Sequence, residues 1–133
     1  MKIQTNNILT QKQINEISPL VLAFLGDGVH TAFVRDFVIS QSLEKLNGYN
    51  KNASHFCKAK TQANILDKIQ EMLSEDEKDI VRRARNTKTN NIAKNSNLME
   101  YKKATSFEAL VGYLYLAGKS DRLNEILEIS IKD

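Results

Sequence analysis

LAFLGDGVHTAF, residues 22–33, decides how this 133-residue chain is read, because it sets an aspartate between two glycines inside a long apolar run. Asp-Gly is a tight-turn pair, and a hairpin between two apolar strands would explain the glycines. The flanks argue against that. Leu22, Leu25, Val29, Ala32 and Phe33 recur at the spacing of a helix face, and the alternation a strand needs is poor. Glycines inside a helix cost on the order of 1 kcal/mol each relative to alanine, so close packing against another backbone is one reason to keep them. One turn from Asp27 lie Ala23, Phe24, His30 and Thr31, and the small residues there leave room for a second helix and for a ligand. A carboxylate in so apolar a place needs a positive partner, which an arginine, a helix N-terminus or a metal ion would supply. Spacing alone does not choose among the three.

Outward from this stretch the punctuation reads as helix after helix. Thr10 is positioned to cap a short helix, QKQINEI, and Ser18-Pro19 opens a long one to about Ile39. NGYNKN (47–52) reads as a turn-rich break. Ala59, Ala63, Leu66, Ile69 and Leu73 then predict one helix from Ala53 to Leu73. Ser74-x-x-Glu77 is a capping box for a helix through about Arg85, and the asparagine-rich 86–97 segment is a loop. Thr105-x-x-Glu108 reads as another capping box, opening FEALVGYLYLA, with Gly118 in the C-cap position. A last helix is expected from Asp121 to Ile131. No strand pattern and no linker remain, so the expectation is an all-α, single domain over 1–133.

At 41% hydrophobic and 26% charged residues the composition is globular rather than disordered. Cys57 is the one cysteine, so no intrachain disulfide forms, as expected in a reducing compartment. His55-x-Cys57 lacks a second ligand pair for zinc. MKIQTNN has no signal-peptide core and no apolar run is long enough to span a bilayer, so no membrane association and a cytoplasmic location are expected. The net charge of +3 conceals a division: residues 71–80 carry five acids against Lys78, and residues 81–105 carry Arg82, Arg83, Arg85, Lys88, Lys94, Lys102 and Lys103 against Glu100. Such a basic segment suits a phosphate-backbone partner and equally a solvated lysine-rich surface.

Glu108 is the second acid in apolar company, flanked by Phe107, Leu110, Val111 and Leu114, with Gly112 one turn on. It reads either as the third residue of a capping box with Thr105, holding a backbone N–H, or as a functional acid on a face that admits close approach.

These residues carry a resemblance. LGDGV is similar to the signature helix of ribonuclease III, whose pattern contains LGDAV, and FEALVGYLYLAG resembles that family's second acidic helix. The likeness is closer to the short bacterial branch, the Mini-ribonuclease III group. LAFLGDG (22–28), AKTQANIL (59–66), RRARNTK (82–88), AKN (93–95) and TSFEALVGYLYL (105–116) follow in the order of that group's LAYIGDA, AKSQAEIL-like, RRGRNAK, PKN and TxFEALLGYLFL blocks. The resemblance covers nearly the whole chain. It implies a ribonuclease III endonuclease-domain-like helical bundle with no double-stranded-RNA-binding domain.

By position, Asp27 matches the catalytic aspartate and Glu108 the metal-binding glutamate. Leu20, Ala23 and Thr105 stand where full-length members carry further acids, a thinner set shared by the Mini group. Ala84 replaces a glycine, Ala93 a proline, and His30 a usually aromatic residue. The resemblance implies a Mg²⁺-dependent endoribonuclease, with Mn²⁺ able to substitute, acting on double-stranded RNA. The family's role in maturing 23S ribosomal RNA precursor ends suggests the substrate. Lys60, Gln62, Arg82, Arg83, Arg85, Asn86, Lys88, Lys94 and Asn95 are the candidate RNA-binding residues. Basic side chains would follow phosphates, and asparagines would reach 2′-hydroxyls across the shallow groove. Lys60 and Gln62 are also placed to support the acids. Pairing of two copies through the signature helix makes Leu22, Phe24 and Leu25 candidates for a homodimer seam, with core packing as the competing role. The alternative function is a non-catalytic RNA-binding helical assembly factor, in which the acids serve only as caps.

Overall fold

The computed structural model describes residues 1–88 and 97–132. Where helices begin, side chains take over N–H groups that have no partner within the helix. Thr10 and Gln13 form a capping box at α1 (Gln11–Asn15). Ser18 accepts from the Leu20 N–H, and Pro19 occupies the first helical position of α2 (Pro19–Gln41). Then come α3 (Leu46–Cys57) and α4 (Ala59–Ile69), the latter tightening into a 3₁₀ turn over Gln70–Met72. Ser74 and Glu77 make the expected capping box at α5 (Glu75–Arg85). α6 (Leu98–Leu116) is followed by α7 (Ser120–Ser130), and Gly118 between them has φ +70, the left-handed conformation that suits a residue just past a helix end. No strand occurs among the described residues. The all-α expectation holds.

Three local expectations are overturned. NGYNKN is not a break: it lies inside α3, where Tyr49, Ala53 and Phe56 pack toward Val34 and Val38 of α2. Burial of that face outweighs the weak helix propensity of asparagine and glycine. The helix expected over 53–73 is divided instead, because Lys58 is extended (φ −68, ψ 154) and α4 starts on a new axis. Most consequentially, α6 begins at Leu98, capped by Asn97, which accepts from the Met99 and Glu100 N–H groups. Thr105 is therefore mid-helix and buried, and the Thr105–Glu108 capping box does not exist.

α6 runs through the middle of the domain against α2, α4, α5 and α7. From Ala104 to Leu114 every residue is buried except Glu108. A long core helix so closely surrounded explains why no polar stripe marks it in the sequence. A partly buried ion pair braces the outer layer: Arg122 of α7 donates to Glu77 of α5 (2.8 and 2.9 Å) and to the Met72 carbonyl (2.6 Å). Burial alone would push the Glu77 carboxyl up, but bonds from Arg122 and Ser74 hold it below the usual range.

The α2–α6 crossing answers the question of the two glycines. A Cβ on Gly26 would overlap the Glu108 carbonyl oxygen and stand 2.9 Å from the Gly112 nitrogen. A Cβ on Gly112 would overlap the Leu22 carbonyl oxygen and stand 3.2 Å from the Gly26 nitrogen. The two backbones touch. A Cβ on Gly28, by contrast, meets nothing within 4 Å. Gly26→Ala and Gly112→Ala should therefore each cost at least the roughly 1–3 kcal/mol of core overpacking. Gly28→Ala should raise stability by about 0.5–1 kcal/mol through helix propensity. Denaturant unfolding of the three variants checks this, and a Gly26→Ala protein as stable as the parent would refute the crossing.

Candidate active site

Because the two backbones meet at Gly26 and Gly112, the residues beside that contact are brought together. Asp27 follows Gly26 on α2, and the Glu108 carbonyl is the atom packed against Gly26. Their side chains adjoin at an open cleft of about 400 Å³, lined by Leu20, Ala23, Phe24, Asp27, Tyr101, Thr105 and Glu108. Asp27 is exposed and Glu108 is partly buried. Burial, reinforced by the neighbouring Asp27 charge, pushes the Glu108 carboxyl up to about 8, and the Gln62 amide acts in the opposite direction as a hydrogen-bond donor. The ionised pair is short of positive charge.

That shortage is what a cation would relieve. Oxygen donors suit a hard ion such as Mg²⁺, which often takes one or two carboxylates and keeps several waters. Among the described residues no group of three or more His, Cys, Asp or Glu residues is placed to hold a metal, so Asp27 and Glu108 stand as a pair. Leu20, Ala23 and Thr105, which stand where full-length members of the resembled family carry further acids, line the cleft without adding charge.

The other sequence candidates divide. Gln62 is 3% exposed, so it sits beside the acids and not on a surface open to a large ligand. Lys60, Arg82, Asn86 and Lys88 are exposed. Arg82 makes an ion pair with Asp79 at 2.5 Å, and a pair at such exposure holds it only weakly. Arg83 is partly buried and donates to the Asn15 carbonyl at 3.1 Å, tying α5 to the end of α1; Arg85 is partly buried too. Lys94, Asn95 and the Ala93 replacement lie outside the described residues. Ala84 is buried in the core, so its methyl acts in packing. Among the seam candidates, Leu22 is 0% exposed and belongs to the chain's own core, which removes it from any surface seam. Phe24 is 82% exposed and Leu25 is partly exposed.

Two lining residues were not read from the sequence as parts of one site. Tyr101, Thr105 and Glu108 fall at the i, i+4, i+7 positions of one face, a signal hidden by starting the helix at Thr105. Leu20, Ala23 and Asp27 share a face of α2 in the same way, at i, i+3 and i+7.

The description "Ribonuclease III domain" matches residues 20–119, which contain both acids and the glycine crossing. A Mini-ribonuclease 3 from Thermoanaerobacter sp. (strain X514) is 44% identical over 130 residues, covering 98% of this chain and 92% of that one. One from Brevibacillus brevis is 46% identical over 114 residues, covering 86% and 85%. A crystal structure of a Fusobacterium nucleatum protein superposes with a TM-score of 0.81 at 36% identity, covering 89% of this chain and 94% of that one. The fold and these matches thus define a ribonuclease III domain. The chain belongs to the ribonuclease III family, among its Mini-ribonuclease 3 members, and is a ribonuclease.

A carboxyl whose folded pKa is raised loses stability as it ionises, so the penalty at Glu108 develops as pH climbs from the ordinary glutamate range through about 8. Glu108→Gln should melt a few degrees above the parent at pH 9 in chelator, with the difference closing below pH 4. Thermal melts across pH check this; a constant offset would mean Glu108 is not held up by its surroundings.

Proposed function

We propose that this protein is a divalent-metal-dependent endoribonuclease that hydrolyses phosphodiester bonds in double-stranded RNA, with Asp27 and Glu108 as metal ligands. Mg²⁺ is the expected ion and Mn²⁺ a substitute. The observation that carries the reading is the pairing of two carboxylates at an open cleft where the ionised form of one is strongly disfavoured. When bound, the cation supplies Lewis-acid polarisation of the phosphate and a more acidic water. The chain supplies the rest: Asp27, exposed at the mouth, and Glu108, partly buried, would hold the cation. With only two protein carboxylates, a phosphate oxygen of the substrate would add to the ligand set, so RNA and metal would bind cooperatively.

Lys60, Arg82 and Lys88, with Lys94 from the segment outside the described residues, follow the backbone of the duplex, and Asn86, with Asn95 from that same segment, reaches 2′-hydroxyls. Arg83 serves chiefly to tie α5 to the end of α1, and the partly buried Arg85 belongs with the residues that follow phosphates. Precursor 23S ribosomal RNA is the expected substrate and the cytoplasm the expected location; no helix among the described residues is long and apolar enough to cross a membrane. Phe24, 82% exposed, together with Leu20, Val21 and Leu25, makes an apolar stripe beside the acids suited to a second copy. Such a homodimer sets two acid pairs on opposite strands of one duplex. Phe24→Glu should give a monomer by sedimentation and sharply reduced double-strand cleavage; an unchanged dimer would reject the seam.

The non-catalytic assembly-factor reading needs both acids to be structural, and the mid-helix position of Thr105 removes the capping role from Glu108. Asp27→Asn separates the two. The expected protein binds duplex RNA with its ordinary salt dependence but has lost Mg²⁺-dependent cleavage by several orders of magnitude. Parent protein that binds duplex RNA without Mg²⁺-dependent cleavage would leave the binding-module reading standing, and cleavage by Asp27→Asn equal to the parent's would remove Asp27 from the site.

A further inference from the structure

Gln62, His30 and Ser130 form a buried polar chain that the reaction as described does not use. Gln62 of α4 is 3% exposed and His30 of α2 is 0% exposed. Gln62 Nε2 lies 3.2 Å from His30 Nδ1, and His30 Nε2 lies 3.3 Å from Ser130 Oγ. Ser130 donates its hydroxyl proton to the Leu127 carbonyl at 2.6 Å. The histidine ring also meets Phe107, the neighbour of Glu108, edge-on at 5.0 Å between centroids.

The proton inventory fixes every direction in this chain. Ser130 has one proton and gives it to Leu127, so toward His30 it accepts. The ring nitrogen facing it, Nε2, must carry hydrogen. In a neutral imidazole Nδ1 is then a bare acceptor, and an acceptor there admits only the NH₂ end of the Gln62 amide. Burial holds the ring pKa down to about 4 against the opposing pull of Asp27, so the imidazole is neutral near pH 7. The amide can no longer flip. The Gln62 amide also favours the ionised Glu108 carboxylate, and only its NH₂ can do so, as a donor.

We infer that Gln62 is a positioning residue for Glu108, its amide locked by the His30–Ser130 relay so that an N–H steadies the carboxylate in the orientation that receives the cation. The inference rests on the proposed reading of Glu108 as a metal ligand. A flipped amide would instead set an oxygen against a carboxylate that already faces Asp27. Outer partners of this kind orient metal ligands, and their loss typically weakens metal affinity about 10–100-fold.

The test uses the double variant His30→Phe/Gln62→Met, because replacing both buried partners with apolar groups of similar shape leaves neither unpaired and preserves the fold. Mg²⁺ alone is titrated into isotope-labelled protein, with the Gly26–Gly28 and Glu108–Gly112 amides followed by NMR. Cleavage of duplex RNA is measured in parallel. The expected result is a melting temperature near the parent's, Mg²⁺ affinity reduced about tenfold or more, and, at saturating Mg²⁺, a lower kcat with KM unchanged. Imidazole ¹⁵N shifts of the parent should show His30 protonated on Nε2 alone. Parent-like Mg²⁺ affinity and kcat in the double variant, or a His30 proton on Nδ1, would overturn the inference. Glu108→Gln serves as the reference. If it fails to weaken Mg²⁺ binding, the metal-site reading itself falls, and the role of Gln62 with it. If it weakens binding while the double variant does not, only the positioning role is lost.

Discussion

Direct contact between the α2 and α6 backbones at Gly26 and Gly112 is the constraint on which the rest of this domain depends. Missing side chains at two positions let each backbone rest against a carbonyl oxygen of the other helix. No polymer of larger residues achieves that separation, because Cβ atoms would hold the axes apart. The contact does two things together. It closes the core between α2 and α6, and it sets Asp27 beside Glu108.

Electrostatics follows from this geometry. Glu108 is the break in a buried run from Ala104 to Leu114, and a carboxylate there loses hydration before it gains anything. Asp27 adds a like charge, and the Gln62 amide offsets part of the cost. The fold thus spends stability on an unneutralised acid, which is a common mark of a functional site. The contrast with Glu77 is instructive. That carboxylate is also buried, but Arg122 and Ser74 satisfy it completely, and it serves to join α5 to α7.

Basic residues close in sequence do unlike work. Arg82 projects to solvent, while Arg83 donates inward to the Asn15 carbonyl and holds α1 to α5. A run such as RRAR looks uniform as letters, but successive helical residues point about 100° apart, so neighbours cannot share a task. The same rotation sends Leu22 into the core and leaves Phe24 exposed at the cleft.

The sequence by itself determined the helical class, the capping boxes at Thr10 and Ser74, the Ser18-Pro19 start and the glycine after α6. Each is a local event, decided by side chains within a few residues of the backbone groups they satisfy. The motif order also singled out Asp27 and Glu108. Only the tertiary structure decided that α6 begins at Leu98, that Thr105 caps nothing, that NGYNKN is helical, and that Gly26 is required where Gly28 is not. Those outcomes depend on what lies across the interface. Burial against a neighbour outweighs the fraction of a kcal/mol per residue by which local propensity speaks, and no local pattern records the neighbour. His30 shows the limit most clearly: as a letter it was a departure at an aromatic position, and only its contacts with Gln62, Phe107 and Ser130 give it a part beside the acids.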